Sequence, residues 1–161
     1  QGRKLVDILP QIRNTPRALI LRDENLLLQY KTGYDDGSEK YVLPGGAQDP
    51  GETLENALSR ECFEEIGVHV NIAALMYVAE YFKPRDAMPQ FVRQQVDFIF
   101  SCTVPEDYIA ANGPRPDKHQ VDVVWVPRQQ LREIALYPNS LADYLVDPDR
   151  GEKKIYLGQI S

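Results

Sequence analysis

Apolar residues fall in short runs along the first third of the chain, broken by polar turn formers. Residues 17–22 and 26–30 are two such runs, flanking the polar Asp23, Glu24 and Asn25, and together they predict two strands joined in a hairpin. Gly33, Asp35, Asp36, Gly37 and Ser38 favour turns, so residues 32–39 read as an exposed loop before the short strand at 41–43. The pattern changes at Thr53. Residues 53–66 are mostly good helix formers, with Thr53 placed as N-cap and Gly67 as a left-handed terminator.

Beyond the helix, residues 70–82 and 94–104 are rich in β-branched and aromatic side chains and predict two further strands. The prolines and polar residues of 83–89 predict a long loop between them. Residues 121–126 predict a last strand closed by Pro127, and residues 128–134 and 140–146 have the pattern of helices. The chain shows no internal repeat and no low-complexity tract.

Composition narrows the class. The 161 residues suit one compact domain spanning 1–161, and 43% hydrophobic with 26% charged residues is ordinary for a soluble globular protein. Eighteen basic against twenty-four acidic residues leave a net charge of −6 with no Lys or Arg stripe, so duplex nucleic acid is not an expected partner. An acidic protein that handles an anionic substrate needs a local device to reverse the field, usually a divalent cation. No run approaches the roughly 18 apolar residues of a membrane span, and residues 1–10 lack a signal-peptide apolar core, so the expectation is a cytoplasmic protein without a membrane partner. Cys62 and Cys102 have no zinc-ligand spacing and are expected to be reduced and buried.

The helix carries the candidate chemistry. At about 100° per residue, Glu61, Glu64 and Glu65 fall within one arc of roughly 100° and continue the apolar stripe of Leu54 and Ala57. Acids crowded at these spacings repel one another and oppose the helix dipole near its C-terminus, which costs stability unless a cation binds. Oxygen donors without His or Cys suit Mg²⁺, with Mn²⁺ as the alternative.

The surrounding identities sharpen this. Gly46, Glu52, Arg60, Glu61, Cys62, Glu64, Glu65, Gly67 and Val68 stand at the spacing of the Nudix box, with Cys62 at a position more often aliphatic, and the sequence resembles the Nudix hydrolase family. The approach through Tyr41, Pro44 and Gly45, the upstream hairpin and the strand before Pro127 are also family-like, so the resemblance covers nearly the whole chain. It implies an α/β (α+β) Nudix fold, a mixed sheet sandwiched between helices, and hydrolysis of the phosphoanhydride of a nucleoside diphosphate linked to another group. It also implies a metal site of Glu61, Glu64, Glu65 and the carbonyl of Gly45 or Gly46. Glu61, Glu64 and Arg60 are the implied catalytic residues, with Arg60 holding the acids and Glu52 bracing the loop. The general base is either one of the box glutamates or, as in several members, an acid on a later loop, for which Glu106, Asp107 and Asp117 are unranked candidates.

The box leaves the attached group open. Pro84, sixteen residues beyond Val68, resembles a marker of ADP-ribose pyrophosphatases, which favours ADP-ribose cleaved to AMP and ribose 5-phosphate; its alternative role is that of a turn proline. Arg85 and Arg93 flank the same loop and are candidate phosphate contacts. The runner-up substrate is a nucleoside di- or triphosphate, and a catalytically silent nucleotide-binding module is the further alternative. The expected partner is a small nucleotide, with a homodimer left open. His69 and His119 are expected at the surface or satisfied by neighbours, and Trp125, Tyr77, Tyr81 and Phe82 are expected mainly in packing.

Overall fold

The computed structural model describes residues 7–85, 88, 90–146 and 154–161. Strand β1 spans Asp7–Ile8, β2 Arg13–Arg22, β3 Asn25–Lys31, β4 Lys40–Val42, β5 Asn71–Pro84, β6 Phe91–Thr103, β7 Gln120–Pro127 and β8 Tyr156–Gln159. Helix α1 spans Leu54–Ile66 and the short α2 spans Ala142–Leu145.

The hairpin between β2 and β3 forms on a two-residue turn in which Asp23 and Glu24 take positive φ, 50° and 65°, the geometry that matches the twist of flanking strands. The strands stay paired only at Leu21–Leu26 and Arg22–Asn25. They then part. β2 runs parallel to β6 from Arg13–Gln95 to Ile20–Cys102, while β3 pairs antiparallel with β4 and β7. The resulting mixed sheet has the order β4-β3-β2-β6-β5-β8, with β1 added to β6 and β7 to β3.

β2 begins earlier than Pro16 would suggest. Ala18 N–H, on the same edge of β2 as Pro16, donates to Pro44 O at 2.8 Å, so the missing N–H of Pro16 faces the β4–α1 loop and leaves the β6 ladder intact.

Alternation along the strands builds two cores. Ala18, Ile20, Leu27, Cys102 and Val123 pack on one face of the sheet against Leu58, Cys62 and Ile66 of α1. Leu19, Leu26, Leu28, Tyr81 and Ile99 face the other way, against Leu141 and Leu145 around α2 and against Leu157 and Ile160 at the C-terminal end. The sheet thus lies between helices, as expected. Thr53 caps α1 by accepting from Asn56 N–H at 3.1 Å, and Gly67 ends it with φ 71°.

Several boundaries differ from the sequence reading. The expected loop at 83–89 is shorter, because β5 continues to Pro84, paired with Val92; residues 86, 87 and 89 lie outside the described residues. The helix expected at 128–134 is only a 3₁₀ turn at Arg128–Gln130 followed by further turns. Residues 135–137 are drawn into extended pairing, with Tyr41 N–H donating to Ala135 O and Tyr137 N–H to Tyr41 O, both at 2.9 Å, so no helix can continue. The helix expected at 140–146 is a 3₁₀ turn at Asn139–Leu141 leading into α2. β1 and β8 were not expected; they are short and take their hydrogen bonds from β6 and β5. Among the described residues no helix is long and apolar enough to cross a membrane.

Candidate active site

The loop after β4 is stitched to the free edge of β2. Besides the Ala18–Pro44 bond, Gln48 N–H donates to Asn14 O at 2.9 Å and Arg17 bridges to Gly45. Two glycines make this close approach feasible. Gly45 has φ 140°, and a Cβ on it would lie 2.1 Å from Pro16 O. A Cβ on Gly46 would lie 2.4 Å from the carboxyl carbon of Glu61. The loop backbone is therefore pressed between β2 and the first acid of α1.

Arg60 organises the acids on the loop side. Its Nε and Nη2 donate to the two oxygens of Glu52 at 2.7 and 2.8 Å, Nη2 also reaches Ala47 O at 3.2 Å, and Nη1 donates to Glu61 Oε1 at 3.0 Å. Glu64 Oε2 lies 3.6 Å from the same Nη1. The Arg60 fork holds the Glu52 carboxyl down at about 2, and Glu52 in turn accepts from Asp49 N–H at 3.0 Å, which ties the loop to the helix.

Glu65 belongs to a different environment. It is 5% exposed, at the centre of the buried face of α1, and Gln29 Nε2 of β3 donates to its Oε1 at 2.9 Å. Burial raises this carboxyl to about 7, with the Gln29 hydrogen bond opposing and the charges of Glu61 and Asp117 adding to the rise. Burial also raises Glu61, against the pull of Arg60. Gln29 Oε1 is itself buried, with no hydrogen-bond partner among the described residues.

Beneath the loop, Arg17 Nη1 donates to Leu43 O and Gly45 O at 3.0 and 3.2 Å, while its Nε lies 3.8 Å from Asp97. Asp97, 1% exposed, accepts from Gln95 Nε2 at 3.0 Å, and Gln95 reaches Tyr81 Oη at 2.6 Å. Burial pushes the Asp97 and Tyr81 groups up.

These positions bear on a divalent cation. The oxygen-only donors suit a hard ion, the missing side chain of Gly46 leaves room at Glu61, and the raised carboxyls of Glu61 and Glu65 gain from a positive neighbour. Gly45 O already accepts from Arg17, which leaves Gly46 O as the carbonyl without that commitment. Among the described residues no three acids are gathered tightly enough to chelate an ion as they stand, since Arg60 holds Glu61 and Glu64 while Gln29 holds Glu65.

Of the later acids, Asp117 is ion-paired with Lys31 and near enough to raise Glu65. Glu106 and Asp107 occupy an exposed turn whose neighbouring carbonyls, Pro105 O and Tyr108 O, are held by Arg22 at the hairpin end of β2. Pro84 and Arg85 line two adjoining pockets, one of about 160 Å³ with Arg13, Lys83 and Arg93, and one of about 490 Å³ with Tyr34, Lys40, His119 and Tyr137.

The remaining candidates are engaged in packing. His69 stacks on Phe63 at 4.7 Å and His119 on Tyr34 at 4.1 Å. Trp125 carries the Arg22 guanidinium at 4.8 Å and Tyr77 and Tyr81 are buried, whereas Phe82, expected in packing, is exposed near the end of β5. Cys62 and Cys102 are both free and buried. Sequence reasoning missed Arg17, Gln29, Gln95 and Asp97. The available signal was polar residues at alternate positions inside otherwise apolar strands.

The chain is similar to known proteins in sequence and in fold. Residues 13–146 match the model of the NUDIX domain family. The chain is 34% identical over 110 residues to 8-oxo-dGDP phosphatase NUDT18 of Homo sapiens, covering 68% of this chain but only 30% of that protein. It is 28% identical over 120 residues to nucleoside triphosphatase NudI of Enterobacter sp. (strain 638), covering 73% and 84% of the two chains. The NUDIX hydrolase structure from Nitrosomonas europaea superposes with a TM-score of 0.65 at 22% identity, over 91% of this chain and 94% of that one, and shares the fold. With the box loop, its arginine clasp and the sheet between two cores all in place, the chain belongs to the NUDIX domain family.

Proposed function

We propose that the chain hydrolyses a phosphoanhydride in a nucleotide derivative, with Mg²⁺ or Mn²⁺ held by Glu61, Glu64, Glu65 and the Gly46 carbonyl. The observation that carries this reading is the Glu61 carboxylate, pinned between Gly46 and Arg60 at the mouth of the box loop. A divalent cation bound there would supply charge neutralisation for phosphate oxygens and a water of lowered pKa. Arg60 keeps Glu61 and Glu64 aligned, and the Glu52 fork fixes Arg60 in turn. Glu61 and Glu64, at 16% and 27% side-chain exposure, are open enough to accept the proton of an attacking water, with Asp117 as the later-loop alternative.

ADP-ribose is the first derivative to test. Pro84 stands at the boundary between an aromatic pocket and a cationic one, a shape suited to a nucleotide with a second polar end. A second reading, a nucleoside di- or triphosphate, is favoured by the relatives, which are named for activity on such substrates. The test is a panel of both substrate classes with Mg²⁺, separated by chromatography after reaction in ¹⁸O-water. A nucleoside monophosphate as primary product fits the proposal, and the label shows which phosphorus is attacked. Inorganic phosphate as primary product would point to terminal-phosphate removal, and no turnover on any substrate would overturn the reading.

A further inference from the structure

Register places a row of cations on one face of the sheet beyond the box loop. Arg13 pairs with Gln95, Lys83 with Arg93 and Tyr81 with Gln95, so Arg13, Arg93 and Lys83 point the same way as Gln95 and Tyr81. Arg85 follows Lys83 by two residues, and its N–H donates to Phe91 O at 3.0 Å. Together with Pro84 these four cations line the pocket of about 160 Å³, with no acid among its described walls.

Such crowding has a cost. The Arg13 guanidinium is held below its ordinary value, first by burial and then by the charges of Arg93, Arg17 and Arg85. Among the described residues none of Arg13, Arg85 and Arg93 has a carboxylate in ion-pair range, whereas Arg17, Arg60, Arg128 and Arg132 all do. Arg22 and Arg115 also lack such a partner among the described residues, so what marks this spot in a chain of net charge −6 is that three such guanidiniums are neighbours. Arg13 and Arg93 also line a larger groove, about 650 Å³, whose other wall is the box loop with Ala47, Gln48 and Glu52. The cationic pocket therefore adjoins the groove along the box loop on one side and the pocket of Tyr34, His119 and Tyr137 on the other.

We infer that Arg13, Arg85 and Arg93 form a phosphate subsite, so that the substrate carries a phosphate outside the diphosphate that is cut. A third phosphate in a polyphosphate chain and a phosphomonoester on the distal group are the two sources of that charge. Guanidinium forks match phosphate oxygens, and each charge-assisted contact is strong enough to alter specificity about tenfold. The inference rests on the hydrolase reading for the rest of the substrate. It goes against the first of the two substrate readings above, because ADP-ribose has no such phosphate, and a responding pair would set ADP-ribose aside.

Two measurements test it. The first compares kcat/KM within pairs that differ by one phosphate: nucleoside triphosphate against diphosphate, NADPH against NADH, coenzyme A against its dephospho form. Wild type should prefer the phosphorylated member at least tenfold in one pair, and which pair responds identifies the source. R13A and R93A should each shrink that ratio to within about threefold of unity. No preference in any pair, or a preference untouched by both variants, overturns the inference while leaving the hydrolase reading intact.

The second measurement is titration of inorganic tripolyphosphate into chelator-treated protein, which reads the arginines without turnover. Saturable binding that weakens with salt and falls at least tenfold in R13A and R93A supports the subsite even if no pair is hydrolysed; binding equal in wild type and variants overturns it.

Discussion

The side-chain amide of Gln29 donates to the buried carboxylate of Glu65 at 2.9 Å, joining the centre of the sheet to the most buried acid of α1. Burial holds that carboxyl at about 7, against an ordinary value of 4.5. Below pH 4.5 the group is neutral both folded and unfolded, and no penalty applies. Between pH 4.5 and 7 the unfolded chain ionises this group while the folded protein keeps it neutral, so about 3 kcal/mol of stability is lost by the time pH reaches 7. Chemical denaturation of chelator-treated protein between pH 4.5 and 7.5 should show this decline. Glu65→Gln should flatten most of it, with Glu61 and Asp97, also raised by burial, supplying the remainder. An identical decline in the variant would sink the assignment.

Glu61→Gln and Glu64→Gln should each lower turnover by at least about 100-fold and weaken Mn²⁺ binding, read independently by titration calorimetry. Circular dichroism should remain that of wild type, because both side chains lie at the edge of the buried face of α1. Normal Mn²⁺ affinity in both variants would rule out the proposed ligand set.

The adjacent glycines should fail in different ways. Gly45→Ala places a Cβ against Pro16 O at a positive φ and should cost about 2–4 kcal/mol of folding stability. Gly46→Ala pushes on the end of a side chain, Glu61, so the fold should persist while activity drops about 100-fold. Thermal denaturation beside initial rates separates the two; equal loss of stability in both would contradict the geometry.

Arg60→Lys keeps the charge and loses the fork that grips both oxygens of Glu52. Activity should fall by about 10- to 100-fold, and proteolysis at the box loop should speed up. Near-normal kcat with Lys at this position would show that charge alone suffices.

Pro84 ends β5 between the two pockets, so Pro84→Gly should alter selection among substrates. The ratio of kcat/KM for ADP-ribose to that for a nucleoside triphosphate, at one Mg²⁺ concentration, should shift by about 3- to 10-fold. An unchanged ratio would reduce Pro84 to a strand-end residue.

The family and the box helix were legible in the sequence, because they depend on local chemistry. Thr53 and Gly67 mark the ends of α1, and the loop glycines and acids stand at fixed spacing from them. A helical wheel, however, treats Glu61, Glu64 and Glu65 as one group. Only the packing of α1 on β3 turns Glu65 toward Gln29 and leaves Glu61 and Glu64 to Arg60, since a wheel gives direction but not what lies there.

The same limit applies to the arginines. Arg13, Arg85 and Arg93 are far apart or separated by a loop in the chain, and they meet because β2 pairs parallel to β6 while β5 folds back along it. That pairing is non-local, as are the short strands β1 and β8, whose hydrogen bonds come from strands distant in sequence. Local propensity and spacing determined which residues could do the chemistry; long-range strand register decided which of them became neighbours, because register is fixed by burial across the whole sheet.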